Sequence, residues 1–248
     1  MSNLSTSKWT KHKILRRSKK LQAHLPETEW LSTGSFVRLL SKYGQVIIKP
    51  TGSYGGNGVI QVRTSGNSSY EVQDGSRTRT YTNYEAISPF IKRKMNNTNI
   101  IQQRIPLATK HGRPFDLRVM VQRHTKSDWQ VTGMLAKVAG KGYIITNIRR
   151  SGGRVVTVEK AIQGSELQGM QTSALLAELR SVALLTANQL GPSYRWVKTM
   201  GIDMAFDKQG HVWIIEVNFA PMLGLFLKLP NKSAYHAIKS FHTSRKQT

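Results

Sequence analysis

The stretch Gly201-Ile202-Asp203-Met204-Ala205-Phe206, continuing through Asp207-Lys208-Gln209-Gly210 into His211-Val212-Trp213-Ile214-Ile215-Glu216-Val217-Asn218, decides how this chain reads. Ile, Val, Trp and Phe fill both apolar runs, as they do in strands, and Asp-Lys-Gln-Gly between them is turn chemistry, so the segment predicts an antiparallel hairpin. Strand side chains alternate faces, which puts Glu216 and Asn218 on one side. With an even loop, Phe206 pairs with His211 and Asp203 lies opposite Ile214, on the face of Glu216 and Asn218; an odd loop sends Asp203 to the other face. Two carboxylates and an amide, with no His or Cys beside them, make a hard-oxygen set suited to Mg²⁺ held jointly with phosphates. The bland alternative is a set of acidic residues solvated near a turn. Glu216 argues against it, because a carboxylate set among Ile214, Ile215 and Val217 is costly to bury bare.

Working outward, 248 residues with 39% hydrophobic content suffice for a real core, in one large domain or two small lobes. No apolar run approaches the ~20 residues of a membrane span, and Met1-Ser2-Asn3-Leu4-Ser5 lacks the apolar centre of a signal peptide, so the expected location is cytoplasmic. The absence of cysteine excludes disulfides, thiolate catalysis and Cys-based zinc sites. Thirty-seven basic residues against 13 acidic ones give a net charge of +24, which attracts polyanions at low salt. Lys8, Lys11, Lys13, Arg16, Arg17, Lys19 and Lys20 cluster in one predicted helix reaching about Ala23, capped by Ser5, Thr6 or Ser7. A solvated face and a polyanion-binding face are equally good readings of it. No zinc-finger spacing, RNA-binding aromatic signature or homeodomain pattern accompanies the charge, so no specific nucleic acid is expected.

Upstream of the hairpin, Val46-Ile47-Ile48-Lys49-Pro50 is a strand, a loop containing Gly52, Ser53, Gly55, Gly56 and Gly58 follows, and a second strand begins at Val59. A phosphate loop of the Walker type and a dinucleotide fingerprint both need a following helix, so neither fits. A glycine hairpin can instead fold over phosphates with its N–H groups donating and Lys49 adding charge; an ordinary flexible loop is the competing reading. Asn99 to Ile105 reads as a strand edging a pocket. In Phe115-Asp116-Leu117-Arg118-Val119, Asp116 and Arg118 share a face, fit to hold a ribose and a phosphate or to form a salt bridge on the sheet surface, and Trp129 to Lys137 returns as the partner strand. Asn147-Ile148-Arg149-Arg150-Ser151-Gly152-Gly153 reads as an anion-binding loop or a surface turn. Ser173 to Leu190 is an amphipathic helix stopped by Gly191-Pro192. No short-spaced histidine pair and no Gly-x-Ser-x-Gly occurs, which removes His-based metal sites and serine hydrolases from consideration.

The order Lys-Pro with a glycine loop, Ile-Gln-Gln, Asp-Leu-Arg, Asn with Gly-Gly, Ile-Asp and Glu-Val-Asn resembles the ATP-grasp superfamily. Phe-Asp-Leu-Arg with the upstream His-Leu-Pro-Glu-Thr is similar to its endospore-coat-associated YheC/YheD branch, and the likeness runs from about Lys8 to Leu225. The resemblance implies an α+β ATP-grasp fold whose two α/β lobes sandwich the nucleotide between antiparallel sheets. One domain is expected over 1–248, with an N-terminal lobe over about 1–100, a C-terminal lobe over about 101–230, a basic tail at 231–248 and no separate preceding domain. It implies that Lys49 contacts ATP phosphates beneath the loop from Gly52 to Gly58, that Lys8, or Lys11 nearby, is the early nucleotide-contacting lysine, that Gln102, Gln103 and Ile105 form the adenine hinge, that Asp116 holds the ribose and that Lys137 approaches the phosphates. Asp203, Glu216 and Asn218 match the ligands of Mg²⁺ or Mn²⁺. Some superfamily members carry Arg where this chain has Gly201; Arg118, Arg149 or Arg150 would then stabilise the transferring phosphoryl group. The implied function is an ATP-dependent carboxylate-amine or carboxylate-thiol ligase working through an acyl phosphate on a small-molecule or peptide carboxylate and a nucleophilic acceptor. The rival is a non-catalytic nucleotide-binding coat protein whose basic surface holds acidic spore-coat components.

Overall fold

The structure, a computed structural model, describes residues 4–53, 55–66, 69–96, 98–125, 127–143, 146 and 148–243, without the side chains of residues 149, 150, 242 and 243. Among the described residues twelve strands run β1 (Thr28–Trp30), β2 (Gln45–Pro50), β3 (Ile60–Ser65), β4 (Ser69–Asp74), β5 (Arg77–Tyr81), β6 (Asn99–Gln103), β7 (Thr109–Lys110), β8 (Arg113–Gln122), β9 (Gln130–Val138), β10 (Arg154–Val156), β11 (Thr199–Phe206) and β12 (Val212–Asn218). The helices are α1 (Lys8–Leu15), α2 (Lys19–Gln22), α3 (Thr33–Tyr43), α4 (Tyr84–Lys94), α5 (Ile148–Ser151), α6 (Val158–Ile162), α7 (Thr172–Leu190) and α8 (Ser233–Thr243), with a 3-10 turn at Leu223–Lys228.

Two antiparallel sheets result. The first has the order β1-β6-β2-β3-β4-β5; the second has β10-β9-β8-β11-β12, with β7 joined to β8. Alternation along the strands sorts their residues. Val46, Ile48, Ile60, Val62 and Ile101 turn toward α3 and α4 and fill one core, leaving Lys49, Gln61 and Gln102 for the opposite face. In the second sheet Leu117, Val119, Ile202, Met204 and Val217 pack with α7. The opposite face of that sheet is split in use. Met120 and Leu135 lie under Phe226, Leu229 and Ile238, while Asp116, Arg118 and Lys137, in the same alternation, are left for polar contacts.

Three expectations change. The predicted helix up to Ala23 is two helices, α1 capped by Ser7 and the single turn α2. These helices put Ile14, Leu15 and Leu21 into the core of the second sheet rather than the first, because the apolar stripe of α1 meets α7. The segment read as a basic tail contains α8, whose Ile238 is fully buried against the second sheet; the stripe behind this was overlooked among the lysines.

The hairpin register is the fourth correction. Phe206 pairs with Val212, not His211, so the loop is odd, and Met204 rather than Asp203 lies opposite Ile214. A register shift follows directly: Asp203 pairs with Glu216 and Gly201 with Asn218. Ile215 is the extra residue of a β-bulge, and it reverses the parity that the odd loop had set. Asp203, Glu216 and Asn218 therefore share one face after all.

Candidate functional site

On that face Asp203 is the hub. Arg118, its neighbour across β8, donates through Nε and Nη2 to the two carboxylate oxygens at 3.0 Å each. Lys137 Nζ lies 2.8 Å from Oδ1, and Asn218 Nδ2 donates to Oδ2 at 3.1 Å. Lys137 also forms an ion pair with Asp116, standing 2.9 Å from its Oδ1, while Asp116 Oδ2 accepts a hydrogen bond from Thr146. Asp116 and Arg118 thus do not pair with each other; each is taken by a residue from a neighbouring strand.

All four charged groups are buried, between 7% and 9% exposed. Burial alone would push Asp203 up, but Arg118 and Lys137 hold it well below the usual carboxylate range. Asp116 goes the other way: its desolvation outweighs the pull of Lys137, and the Asp203 charge adds to the rise. Burial pulls Lys137 down, and the two carboxylates more than restore it. Two carboxylates in one setting are thereby driven apart in acidity.

The first sheet supplies the facing groups. Lys49, 6% exposed, donates to Gln102 Oε1 at 2.7 Å and reaches the carbonyl of Ile215, the bulge residue, at 3.5 Å. Gln102 in turn donates to Thr28 at 2.7 Å. Lys8 hydrogen-bonds the Ser53 carbonyl in the glycine loop and lies 3.5 Å from Glu216. Burial, only partly offset by Glu216, lowers Lys49 to about 8. Gly55, Gly56 and Gly58 have φ of 67°, 75° and 71°, so the loop follows a path that side-chain-bearing residues resist. Between the lobes Lys8, Lys49, Gln102, Ile215 and Glu216 surround a cavity of about 30 Å³.

The remaining residues fall into place around this centre. Gln103 accepts from the Glu27 N–H at 3.2 Å, away from Lys49, and Ile105 is buried just beyond it. Gly52 lies in the loop and has open space where a Cβ would stand. A Cβ on Gly201 would sit 2.5 Å from Pro221 and 3.2 Å from Arg118 Nη1, so the space beside this glycine is taken by Pro221 and, next to it, Arg118. The side chains of Arg149 and Arg150 lie outside the described residues. His12 escaped sequence reading, and as a site residue Lys11 entered it only as the alternative to Lys8, although Lys8, Lys11, His12 and Leu15 have the spacing of one helix face; all four line the cavity. Lys11 donates to the Val217 carbonyl, and its burial lowers it to about 8.

The donor set admits a hard cation. Asp203 is held ionised, but each of its oxygens already accepts two contacts, from Arg118 and Lys137 and from Arg118 and Asn218, so a cation there would displace at least one of them. Glu216 is 22% exposed on its side chain, and Asn218 uses its amide nitrogen on Asp203, which leaves its oxygen uncommitted to that contact. Two carboxylates and one amide oxygen are too few for an all-protein cage and suit a Mg²⁺ shared with phosphates.

Comparison with known proteins follows the same line. A family model described as YheC/D like ATP-grasp matches residues 1–242. Over 227 residues the chain is 26% identical to "Endospore coat-associated protein YheD" of Bacillus subtilis (strain 168), covering 89% of this chain and 49% of that protein. Over 218 residues it is 22% identical to "Endospore coat-associated protein YheC" of the same organism, covering 86% and 59%. The chain thus spans about half to three fifths of these relatives' length. Among solved structures, the ATP-grasp ligase PsnB with a phosphomimetic variant of minimal precursor, Mg and ADP superposes with a TM-score of 0.58 at 16% identity, over 99% of this chain and 60% of that one. The ADP complex of N5-carboxyaminoimidazole ribonucleotide synthetase gives 0.54 at 13% identity, over 88% and 46%.

Proposed function

The chain belongs to the YheC/D-like ATP-grasp family, and from that premise we propose that it binds Mg-ATP between its two sheets and transfers the γ-phosphoryl group to a carboxylate. ADP leaves, the acyl phosphate is attacked by an amine or a thiol, and inorganic phosphate departs as the new bond forms. The observation that carries this reading is the direct pairing of Asp203 with Glu216 on the face that looks toward Lys49 and Lys8.

Asp203, Glu216 and the Asn218 oxygen are the groups that would hold Mg²⁺, or Mn²⁺ in its place, which supplies Lewis-acid neutralisation of phosphate charge. Lys8 and Lys49 offset the triphosphate from the first lobe, and N–H groups of the glycine loop add fixed donors. Arg118 and Lys137 stand ready to stabilise charge on the transferring group, each already oriented by Asp203. Gln102, Gln103 and Ile105 are assigned to adenine and Asp116 to the ribose; Asp116 must then exchange its contact with Thr146 for the sugar hydroxyl. Association with the spore coat is part of the same proposal, supported by the names of the relatives.

Calorimetry with Mg-ATP on the wild type and on Glu216→Gln, Asn218→Ala and Lys49→Ala tests the site. Magnesium-dependent binding lost in all three variants is the expected result; equal binding by all four proteins, or binding that follows salt alone, overturns it. Release of ADP with paired carboxylates and amines then separates the ligase from the nucleotide-binding coat protein, for which binding persists without turnover.

A further inference from the structure

On the β1 side of the inter-lobe cavity a groove of about 410 Å³ opens to the surface, a volume within the range of small-molecule sites. His12, Leu25 and Thr28 line both the groove and the cavity, and so form the partition between them. Of the residues that line the groove, the nucleotide reading uses Gln103, which it assigns to adenine; it gives no role to the others.

Its charges can be counted. Glu27 is taken by Arg38, Lys42 and the Tyr43 hydroxyl, and Glu29 by Arg38, so two carboxylates are matched by two cations. Arg16, exposed at the C-terminal end of α1, makes no ion pair among the described residues. In the partition behind it, His12 is 8% exposed and its Nε2 has no hydrogen-bond partner among the described residues. Burial, then the neighbouring Arg16 and Lys49, lower His12 to about 4, so the ring is neutral at pH 7 and adds a polar atom without adding charge. Leu25, Pro26, Tyr43 and Trp213 contribute an apolar and aromatic part to a lining in which Gln22, Glu27, Thr28, Glu29 and Gln103 are polar.

We propose that this groove is a binding site for a small monocarboxylate with an apolar or aromatic body, its carboxylate on Arg16 and its body against Trp213, Tyr43 and Leu25. One unmatched positive charge calls for one negative charge. A phosphate dianion would bring a second charge toward Glu27 and Glu29 with no cation left to meet it. The guanidinium fork suits a carboxylate, and the aromatic walls suit what the carboxylate is attached to.

Phenylacetate is the probe, titrated at pH 7 into the protein carrying ¹³C-labelled histidine rings, with the His12 resonance assigned through His12→Gln. The expected result is a saturable shift of the His12 signal, with affinity about tenfold or more weaker in Arg16→Gln, as loss of one charge-assisted pair predicts. Arg16 is exposed, so that variant keeps its fold. Phenylacetamide and inorganic phosphate should give no saturable shift, and Lys49→Ala should retain the phenylacetate response. The proposal is overturned by absence of saturation, by an equal response in Arg16→Gln, by an equal response to phosphate, or by loss of the response in Lys49→Ala, which would put the ligand in the cavity. Failure of Mg-ATP binding leaves each of these outcomes readable.

Discussion

Asp203 accepts from Arg118, Lys137 and Asn218 at once, and replacing it by Asn leaves two buried cations facing each other. Asp203→Asn is expected to cost about 3–5 kcal/mol, the usual penalty for removing one partner of a buried pair, read from urea unfolding at pH 7. Because the folded-state pKa is depressed, this stabilisation is present above the unfolded pKa and is lost as pH falls through the folded one, so the gap between wild type and variant should narrow in acid. Lys49 has the opposite sign. Its lowered pKa means that the unfolded chain binds the proton more tightly between about 8 and 10.5, so stability rises with pH across that window. Relative to Lys49→Met, the wild type should gain up to about 3 kcal/mol between pH 7.5 and 10.5, measured by parallel denaturant titrations. Sequence alone pointed to both residues, Lys49 as a charge ending an apolar strand before the glycine loop and Asp203 as a carboxylate within an apolar strand facing Glu216 and Asn218. It left their partners open: Asp116 and Arg118 look like a pair in one dimension, and only the order β9-β8-β11 assigns them to Lys137 and Asp203.

At the level of elements, α8 and the turn before it roof the apolar half of the second sheet's site face. Gly133 makes the close approach possible, as a Cβ there would stand 2.8 Å from Ile238 and 3.0 Å from Phe226. Ile238→Ala should cost about 2–4 kcal/mol and Gly133→Val about 1–3 kcal/mol, and both should speed proteolytic loss of the C-terminal segment, followed by mass spectrometry. Strands and helices were largely legible from alternation and caps, including Ser7 among the cap candidates of α1 and Gly191-Pro192 after α7. The bulge at Ile215 was not. A bulge is a property of two strands in register, and nothing in the composition of Trp213-Ile214-Ile215-Glu216 marks which residue the ladder will skip.

For the whole molecule, the ratio of space to ligand sets the expectation. The cavity among Lys8, Lys49, Gln102 and Glu216, about 30 Å³, has room for a water molecule and not for a nucleoside triphosphate, so the proposed Mg-ATP binding requires the groups around it to move apart. Stopped-flow binding rates should therefore level off with rising ATP, and amide exchange across Lys8, Ser53 and Glu216 should be faster without nucleotide than with it. The net charge of +24 acts on a longer range. DNA binding is expected to fall steeply between 50 and 200 mM salt with no sequence preference, whereas Mg-ATP binding should survive that change.

The odd turn and the single bulge of the β11–β12 hairpin cancel each other, which makes the pair a matter of arithmetic parity rather than of length. A hairpin with one residue fewer in the turn and no bulge would deliver the same three oxygens to the same face. Insertions and deletions here are therefore neutral to chemistry when they occur in compensating couples and ruinous when they occur singly. A duplication of Ile215 alone would turn Glu216 and Asn218 into the apolar core while leaving every residue of the constellation in the sequence.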